Sequence, residues 1–211
     1  VSPIITDTFT RSASNGWGTP DVGGATSTAN GAASDYSVGS GVGSISNGTL
    51  NVKRTVIYSN NTFNTDSDIT IDVVVPTVTL TQPAEIRICS RFTDVDNNYW
   101  VQLSYDTTGN IDLSLGKTVA GVDTTLASAG NVDIYAGGST THVHFITAGS
   151  ELKARVWTGG TEGSTWTVSS TDGAFSSGFT AVSSKYNTGN TNTLPQVVTF
   201  DNLSVKVGFG F

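Results

Sequence analysis

One seven-residue stretch contains the pattern that decides the fold class: Tyr99-Trp100-Val101-Gln102-Leu103-Ser104-Tyr105. Every second residue, from Tyr99 to Tyr105, is large and apolar, while polar Gln102 and Ser104 stand between them. Side chains of an extended strand point alternately to its two faces, so this spacing predicts a β-strand with one buried face. The same alternation recurs in five other segments: 68–75, 111–115, 142–146, 152–157 and 197–207.

Turn-forming residues separate these segments, among them Asn15-Gly16, Asn47-Gly48, Gly137-Gly138, Gly159-Gly160 and Asp172-Gly173. No long stretch has apolar residues at helical spacing, and a parallel α/β sheet would need helical crossovers between its strands. Many short strands separated by turns are typical of an antiparallel arrangement. The sequence therefore predicts an all-β fold, a two-sheet antiparallel β-sandwich or jelly roll.

The whole chain, residues 1–211, is interpreted as a single β-sandwich domain, because sandwiches often reach this length as one unit. Residues 12–48 are rich in Gly and Ser and are expected to run as a covering segment over a sheet edge. Its expected anchors in the core are Trp17, Tyr36, Val38 and Ile45. Residues 208–211 are interpreted as a possible linker toward a neighbouring domain.

The charge balance and the length of the apolar runs exclude two classes of partner. The chain has 10 Lys and Arg residues and 17 Asp and Glu residues, which gives a formal net charge of −7 at pH 7. Affinity for nucleic acid depends largely on Lys and Arg that neutralise phosphates, so no nucleic-acid binding is expected. No apolar run approaches membrane-spanning length, so no membrane insertion is expected.

The single cysteine, Cys89, excludes an intrachain disulfide and is predicted to be a small buried apolar residue. The chain begins at Val1 and has no Met, which suggests an excised or processed segment of a longer protein. The lack of Met and the single Cys also fit an environment where oxidation matters. Glycosylation sequons at Asn47, Asn60 and Asn202 are attributed to chance in a chain rich in Asn and Thr.

Several blocks of the sequence resemble a known family. They are Asp7-Thr8-Phe9-Thr10-Arg11 with Asn15-Gly16-Trp17-Gly18, then 91–101, 152–157 with 166–168, and 198–205. Together and in this order they resemble concanavalin A-like (laminin G-like) jelly-roll domains, of the type found in actinobacterial secreted proteins and phage minor tail proteins. The resemblance implies an extracellular or virion location. It also implies partners among cell-surface glycans or the neighbouring subunits of an assembly.

The resemblance also implies a structural calcium ion. Related sandwiches often hold one where the first and last strands meet, and Asp7 and Asp201 are the residues here that could supply carboxylate ligands. A second acidic segment, residues 94–98, begins like a calcium loop. However, Tyr99 replaces the glycine that such a loop needs, so a tight hairpin turn is predicted there.

Catalysis of glycoside hydrolysis requires two positioned carboxylates. The related glucanases carry a Glu-x-Asp-x-Glu motif, which is absent, since the only glutamates are Glu85, Glu151 and Glu162. Two Asp pairs at i, i+2 spacing, Asp66/Asp68 and Asp94/Asp96, stand at turns, where Asp is common for other reasons. The chain is therefore interpreted as non-enzymatic, with a glycoside hydrolase as the least favoured alternative.

The preferred ligand-binding patch consists of Trp100, Arg91 and Gln102. Trp100 alternates with Tyr99 and Val101 and should face away from the core, where an indole could stack on a sugar. Trp157 is expected in the core with Tyr99 and Tyr105. The competing interpretation is that residues 12–48 cover Trp100.

His142 and His144 share one face of a predicted strand, a spacing compatible with a metal site or with two solvent-facing histidines. The function predicted from these observations is a non-catalytic recognition module that binds cell-surface carbohydrate, within a phage tail or a secreted protein. The alternative is a purely structural or oligomerising domain of such an assembly.

Overall fold

The structure is a computed structural model that describes residues 2–59 and 64–208. The sequon at Asn60 and most of the linker predicted at 208–211 lie outside these residues. The regular secondary structure of the described residues is β-strand, apart from one short 3-10 helix at Ala33–Asp35. No helix within the described ranges is long and apolar enough to cross a membrane.

Sixteen strands form in the described residues. In chain order they are β1 Pro3–Asp7, β2 Ala13–Ser14, β3 Thr26–Ala29, β4 Tyr36–Gly39, β5 Val42–Asn47, β6 Arg54–Tyr58, β7 Ser67–Val74, β8 Ala84–Asp94, β9 Asn97–Tyr105, β10 Asn110–Val119, β11 Val122–Ile134, β12 Thr140–Ala148, β13 Glu151–Trp157, β14 Val168–Thr171, β15 Phe179–Tyr186 and β16 Gln196–Lys206.

The strands form two antiparallel sheets. The nine-stranded sheet has the order β14-β13-β12-β7-β16-β5-β4-β2, with β1 also paired to β16. The seven-stranded sheet has the order β11-β10-β9-β8-β15-β6-β3. The inner faces of both sheets contribute to one buried apolar cluster, which includes Ile69 and Ile71 of β7 and Val101 and Leu103 of β9. The predicted all-β, two-sheet antiparallel sandwich is confirmed.

The Gly- and Ser-rich segment 12–48 does more than cover an edge. Its strands β4 and β5 extend the nine-stranded sheet, and β5 pairs directly with β16. All four expected anchors are buried. Trp17 is the largest of them, and it packs between Phe9 and Phe200 and donates a 2.9 Å hydrogen bond to the carbonyl of Ser44. Small residues suit this segment because Gly43 of β5 lies against the Phe9 and Trp17 rings.

Two other local predictions agree with the structure. Cys89 is buried, and burial raises the pKa of its thiol to about 11, so it has no thiolate character at neutral pH. The segment 94–98 forms the turn between β8 and β9. There the Asp94 carboxylate accepts hydrogen bonds from the Asp96 backbone N–H (2.8 Å) and the Asn97 side chain (3.0 Å).

Candidate functional site

Asp7 is completely buried at the end of β1, and Arg11 neutralises it. The two guanidinium Nη atoms of Arg11 donate to the two carboxylate oxygens of Asp7 at 2.7 and 2.9 Å. The backbone N–H of Phe9 donates to the same carboxylate at 3.0 Å. A calcium ligand needs free oxygen lone pairs and little competing positive charge, and Asp7 offers neither.

Asp201 lies on β16, which pairs with β1 as expected for the first and last strands. Its side chain, however, is on the outer face of the sheet, whereas that of Asp7 is buried inside. The two residues therefore do not fit a shared calcium ion. Among residues 2–59 and 64–208, no cluster of three or more His, Cys, Asp or Glu side chains suits a metal, and this includes the neighbourhood of His142 and His144.

Trp100 lies on the outer face of the seven-stranded sheet but is only 2% exposed. The Arg87 guanidinium lies 4.1 Å from the centroid of the Trp100 ring. The indole Nε1–H of Trp100 donates to the Thr118 hydroxyl at 3.1 Å. Gly116, opposite Trp100 in register, lets the indole lie against its backbone. The cover thus comes from the neighbouring strands β8 and β10 of the same sheet, and not from the segment 12–48. The face of Trp100 is closed to a stacking sugar.

Arg91 and Gln102 do not complete a patch around Trp100. Arg91 is 3% exposed and donates to the carbonyls of Thr65 (2.6 Å) and Phe175 (2.8 Å), so it holds two loops together. Gln102 shares the outer face with Trp100 but accepts a 2.6 Å hydrogen bond from Arg87. The expected binding patch is therefore not assembled in this structure, because Arg87 engages Trp100 and Gln102 while backbone carbonyls engage Arg91.

The outer face of the nine-stranded sheet contains a different group, which we call the transverse row: Trp157, His142, Asp72 and Asp201. Each is the register partner of the next on strands β13, β12, β7 and β16. Side chains directly opposite on adjacent antiparallel strands lie within contact distance. The row therefore places an indole, an imidazole and two carboxylates on one line across four strands.

The contacts within the transverse row orient its members. The His142 ring stacks on Trp157 with centroids 5.3 Å apart and an interplanar angle of 24°. His142 Nδ1 lies 2.5 Å from one Asp72 oxygen, and the Asn202 amide donates to the other at 2.9 Å. Burial raises the pKa of Asp201, and the nearby carboxylates of Asp72 and Asp7 raise it further.

Two depressions adjoin the row, and Thr140 and His142 line both of them. One, of about 450 Å³, is bounded by Ile134, Tyr135, Thr158 and Gly159. The other, of about 320 Å³, contains Asp72, Asp201 and Asn202 beside Val42 and Val74. Ile134 is 69% exposed. Apolar walls with a few oriented polar groups are typical of small-ligand sites.

A second set of contacts lies one pleat further along β12. His144 Nε2 lies 2.8 Å from Asp68, and its Nδ1 contacts Glu162 of the loop between β13 and β14. Burial lowers the pKa of His144, but the hydrogen bonds to Asp68 and Glu162 outweigh burial, so the pKa is raised overall. Trp166, on the same loop, packs against the His144 ring at 4.9 Å.

The paired acids considered for catalysis are occupied elsewhere. Asp66 accepts from the Gly149 backbone N–H at 2.9 Å, and Asp68 pairs with His144. Asp94 caps the β8–β9 turn, so neither pair forms a free carboxylate dyad. The two carboxylates that do lie side by side, Asp72 and Asp201, have no special spacing in the sequence.

Trp157 is the functional candidate that the sequence reasoning missed, since it was expected in the core. Its strand buries Leu152, Ala154 and Val156. Trp157 therefore falls on the other face, with Arg155 and Lys153, and is half-buried there. Strict counting along 152–157 would have placed it on the polar face, so the signal was present in the alternation.

No protein-family model matches the chain, and no curated protein matches it.

Solved structures do match. The carbohydrate-binding module CBM66 from Bacillus subtilis superposes with a TM-score of 0.62 and 13% identity, covering 86% of this chain and 94% of that chain. The exoplasmic/lumenal domain of VIP36, in its form bound to Ca²⁺ and Man3GlcNAc, gives 0.61 and 12% identity, with coverages of 88% and 85%. A mutant of the GH43 protein BlXynB from Bacillus licheniformis gives 0.59 and 13% identity, covering 96% of this chain but 39% of that chain. The chain therefore shares the two-sheet β-sandwich fold of these structures, as the resemblance to jelly-roll domains implied, and this fold alone does not assign a function.

Proposed function

We propose that this chain is a non-catalytic carbohydrate-recognition domain whose ligand lies across the transverse row. The observation that carries the proposal is the in-register line of Trp157, His142, Asp72 and Asp201. One depression adjoins this line at His142, and the other contains His142, Asp72 and Asp201. An indole face suits the apolar face of a sugar ring. The carboxylates and the Asn202 amide suit its hydroxyl groups.

Two of the similar structures support this proposal, since one is a carbohydrate-binding module and the other is bound to Ca²⁺ and Man3GlcNAc. The contacts within the row fix the Asp72 carboxylate in place, since His142 and the Asn202 amide each hydrogen-bond one of its oxygens. The remaining lone pairs of these oxygens can accept hydrogen bonds from sugar hydroxyls.

The setting of the domain is part of the proposal. We place it in a secreted or virion-associated protein, such as a phage tail component, where it would attach the larger assembly to a cell-surface glycan. The tail-like opening and closing blocks of the sequence support this setting. So does the absence of Met together with a single, buried Cys.

Binding to arrayed linear oligomers of mannose, glucose, galactose and N-acetylglucosamine tests the proposal. Trp157→Ala should lower the affinity for the bound sugar at least about tenfold, because it removes the only indole of the transverse row. Gln102→Ala, on the outer face of the other sheet, is the matched control and should bind like the wild type. Loss of binding in Gln102→Ala with normal binding in Trp157→Ala would move the site to the other sheet and refute the proposal.

A further inference from the structure

A second indole, Trp166, lies over the same strand as Trp157. It is half-buried, and the Arg155 guanidinium is 4.2 Å from its ring centroid. The Lys153 ammonium is 5.3 Å from the same ring, and the His144 ring meets it at 64°. Cations over an aromatic face attract its π-electrons. Side chains of two strands thus hold Trp166 against the outer face of the nine-stranded sheet.

The loop that carries Trp166 is fixed at several points. Glu162 accepts from Arg155 at 2.6 Å and contacts His144, and the Gly163 carbonyl accepts from Arg155. At the start of the loop, the Thr158 backbone N–H donates to Asp133 of β11 at 2.7 Å. A binding group held in place before the ligand arrives loses less entropy on binding.

The two indoles are spaced along one strand. Trp157 and Arg155 are successive outward residues of β13, so their backbones lie about 7 Å apart along the strand, and Trp166 covers Arg155. This spacing is comparable to the length of one or two hexopyranose units. The cations near Trp166 are paired with Glu162, Asp68 and Glu151. Asp72 and Asp201 lie two and three strands away from β13 at the level of Trp157 and make that part of the face acidic.

We infer that the ligand is a linear, neutral oligosaccharide that crosses the transverse row at Trp157 and runs along β13, with one sugar unit on the Trp157 face away from His142 and another on the Trp166 face away from Arg155. This inference rests on the proposed function and adds to it a chain length, a direction and a charge class. Two linked subsites bind a chain more tightly than either binds a single unit, because the second contact is intramolecular. A single sugar unit is too short to contact both indoles. An acidic sugar would be repelled by the carboxylates of Asp72 and Asp201.

Calorimetric titration with mannose, glucose and their linear oligomers of two to six units tests the inference. The wild type should gain at least about tenfold in affinity between the monosaccharide and the tetrasaccharide. Trp166→Ala should remove this gain, and Trp166→Tyr should restore most of it. Trp157→Ala should weaken every length. Circular dichroism checks that each variant is folded.

The outcomes separate the two proposals. Affinity that does not grow with length, or that Trp166→Ala lowers equally for monosaccharide and tetrasaccharide, overturns the second platform and leaves the transverse row intact. Binding that Trp157→Ala does not change at any length overturns the proposed function itself. Tighter binding of an oligogalacturonate than of the neutral oligomers overturns the charge class.

Discussion

Asp7 and Arg11 show how one residue's surroundings can override its expected role. A carboxylate near paired terminal strands suggested calcium, yet the Asp7 oxygens receive both Nη atoms of Arg11. Arg11 also donates to the Trp17 carbonyl at 2.8 Å and so connects β1 to the segment that carries Trp17. A paired buried charge adds little net stability, but an unpaired one is strongly destabilising.

Arg11→Met should therefore destabilise the fold by about 3–5 kcal/mol, because it leaves the Asp7 carboxylate buried without a counter-charge. Urea unfolding followed by circular dichroism measures the change. Glu151→Gln is the control, since Glu151 is half-exposed in its pair with Lys153 and should change stability by less than about 1 kcal/mol. The double variant Arg11→Met/Asp7→Asn should recover part of the loss. Wild-type stability in Arg11→Met would show that the pair is unimportant.

At the scale of elements, His144 joins β12 to β7 through Asp68 and to the β13–β14 loop through Glu162. A neutral imidazole has one N–H, so only the protonated ring can donate to both carboxylates. Arg155 and Lys206 are the other charges that act on this group. The position of the loop, and with it that of Trp166, is therefore linked to one proton.

The sign of the pH dependence follows from the raised pKa of His144. The stabilisation from protonated His144 is complete below the unfolded pKa of about 6.5, and it is lost as pH rises through the higher folded value. The pKa values of Asp68 and Glu162 are lowered, so both remain ionised over this range.

His144→Gln should thus lower the melting temperature at pH 6, and its difference from wild type should shrink toward pH 9. Thermal unfolding of both proteins across this range measures the difference. An NMR titration of the His144 ring gives the pKa directly. A constant difference at every pH would mean that the residue acts by packing alone.

The whole molecule is organised around β16, the last strand, which lies between β7 and β5 and also pairs with β1. Strands from both ends of the chain therefore meet in one sheet. The buried cluster, meanwhile, includes residues from both sheets. No part of the described sandwich has a separate core of comparable size, since the second buried cluster contains only Cys89, Phe92, Trp100 and Ala181.

Such an arrangement predicts one cooperative unfolding transition, as a single domain over residues 1–211 requires. Far-ultraviolet circular dichroism and tryptophan fluorescence should give coincident urea curves. A chain truncated before Gln196 should lack the transition, because β7 and β5 lose their shared partner. Two separate transitions in the full chain would contradict the single-domain interpretation.

The sequence alone was sufficient for the class of fold and for most of the core. Alternation in Tyr99–Tyr105 and in 197–207 predicted strands that the structure contains as β9 and β16. The anchors Trp17, Tyr36, Val38 and Ile45 were identified as isolated large residues in a Gly- and Ser-rich segment. These are short-range signals, because a side chain's face depends only on its parity within one strand.

The site depended on tertiary structure. Parity places Trp100 and Trp157 on outer faces, but only the packing shows that Arg87 covers the first, while the second remains partly open beside His142. The register between β16 and β7 places Asp201 directly opposite Asp72 on the outer face, and not beside Asp7 as the sequence suggested. Register between strands far apart in sequence is set by the burial of whole faces, so a pattern read along one strand cannot specify it.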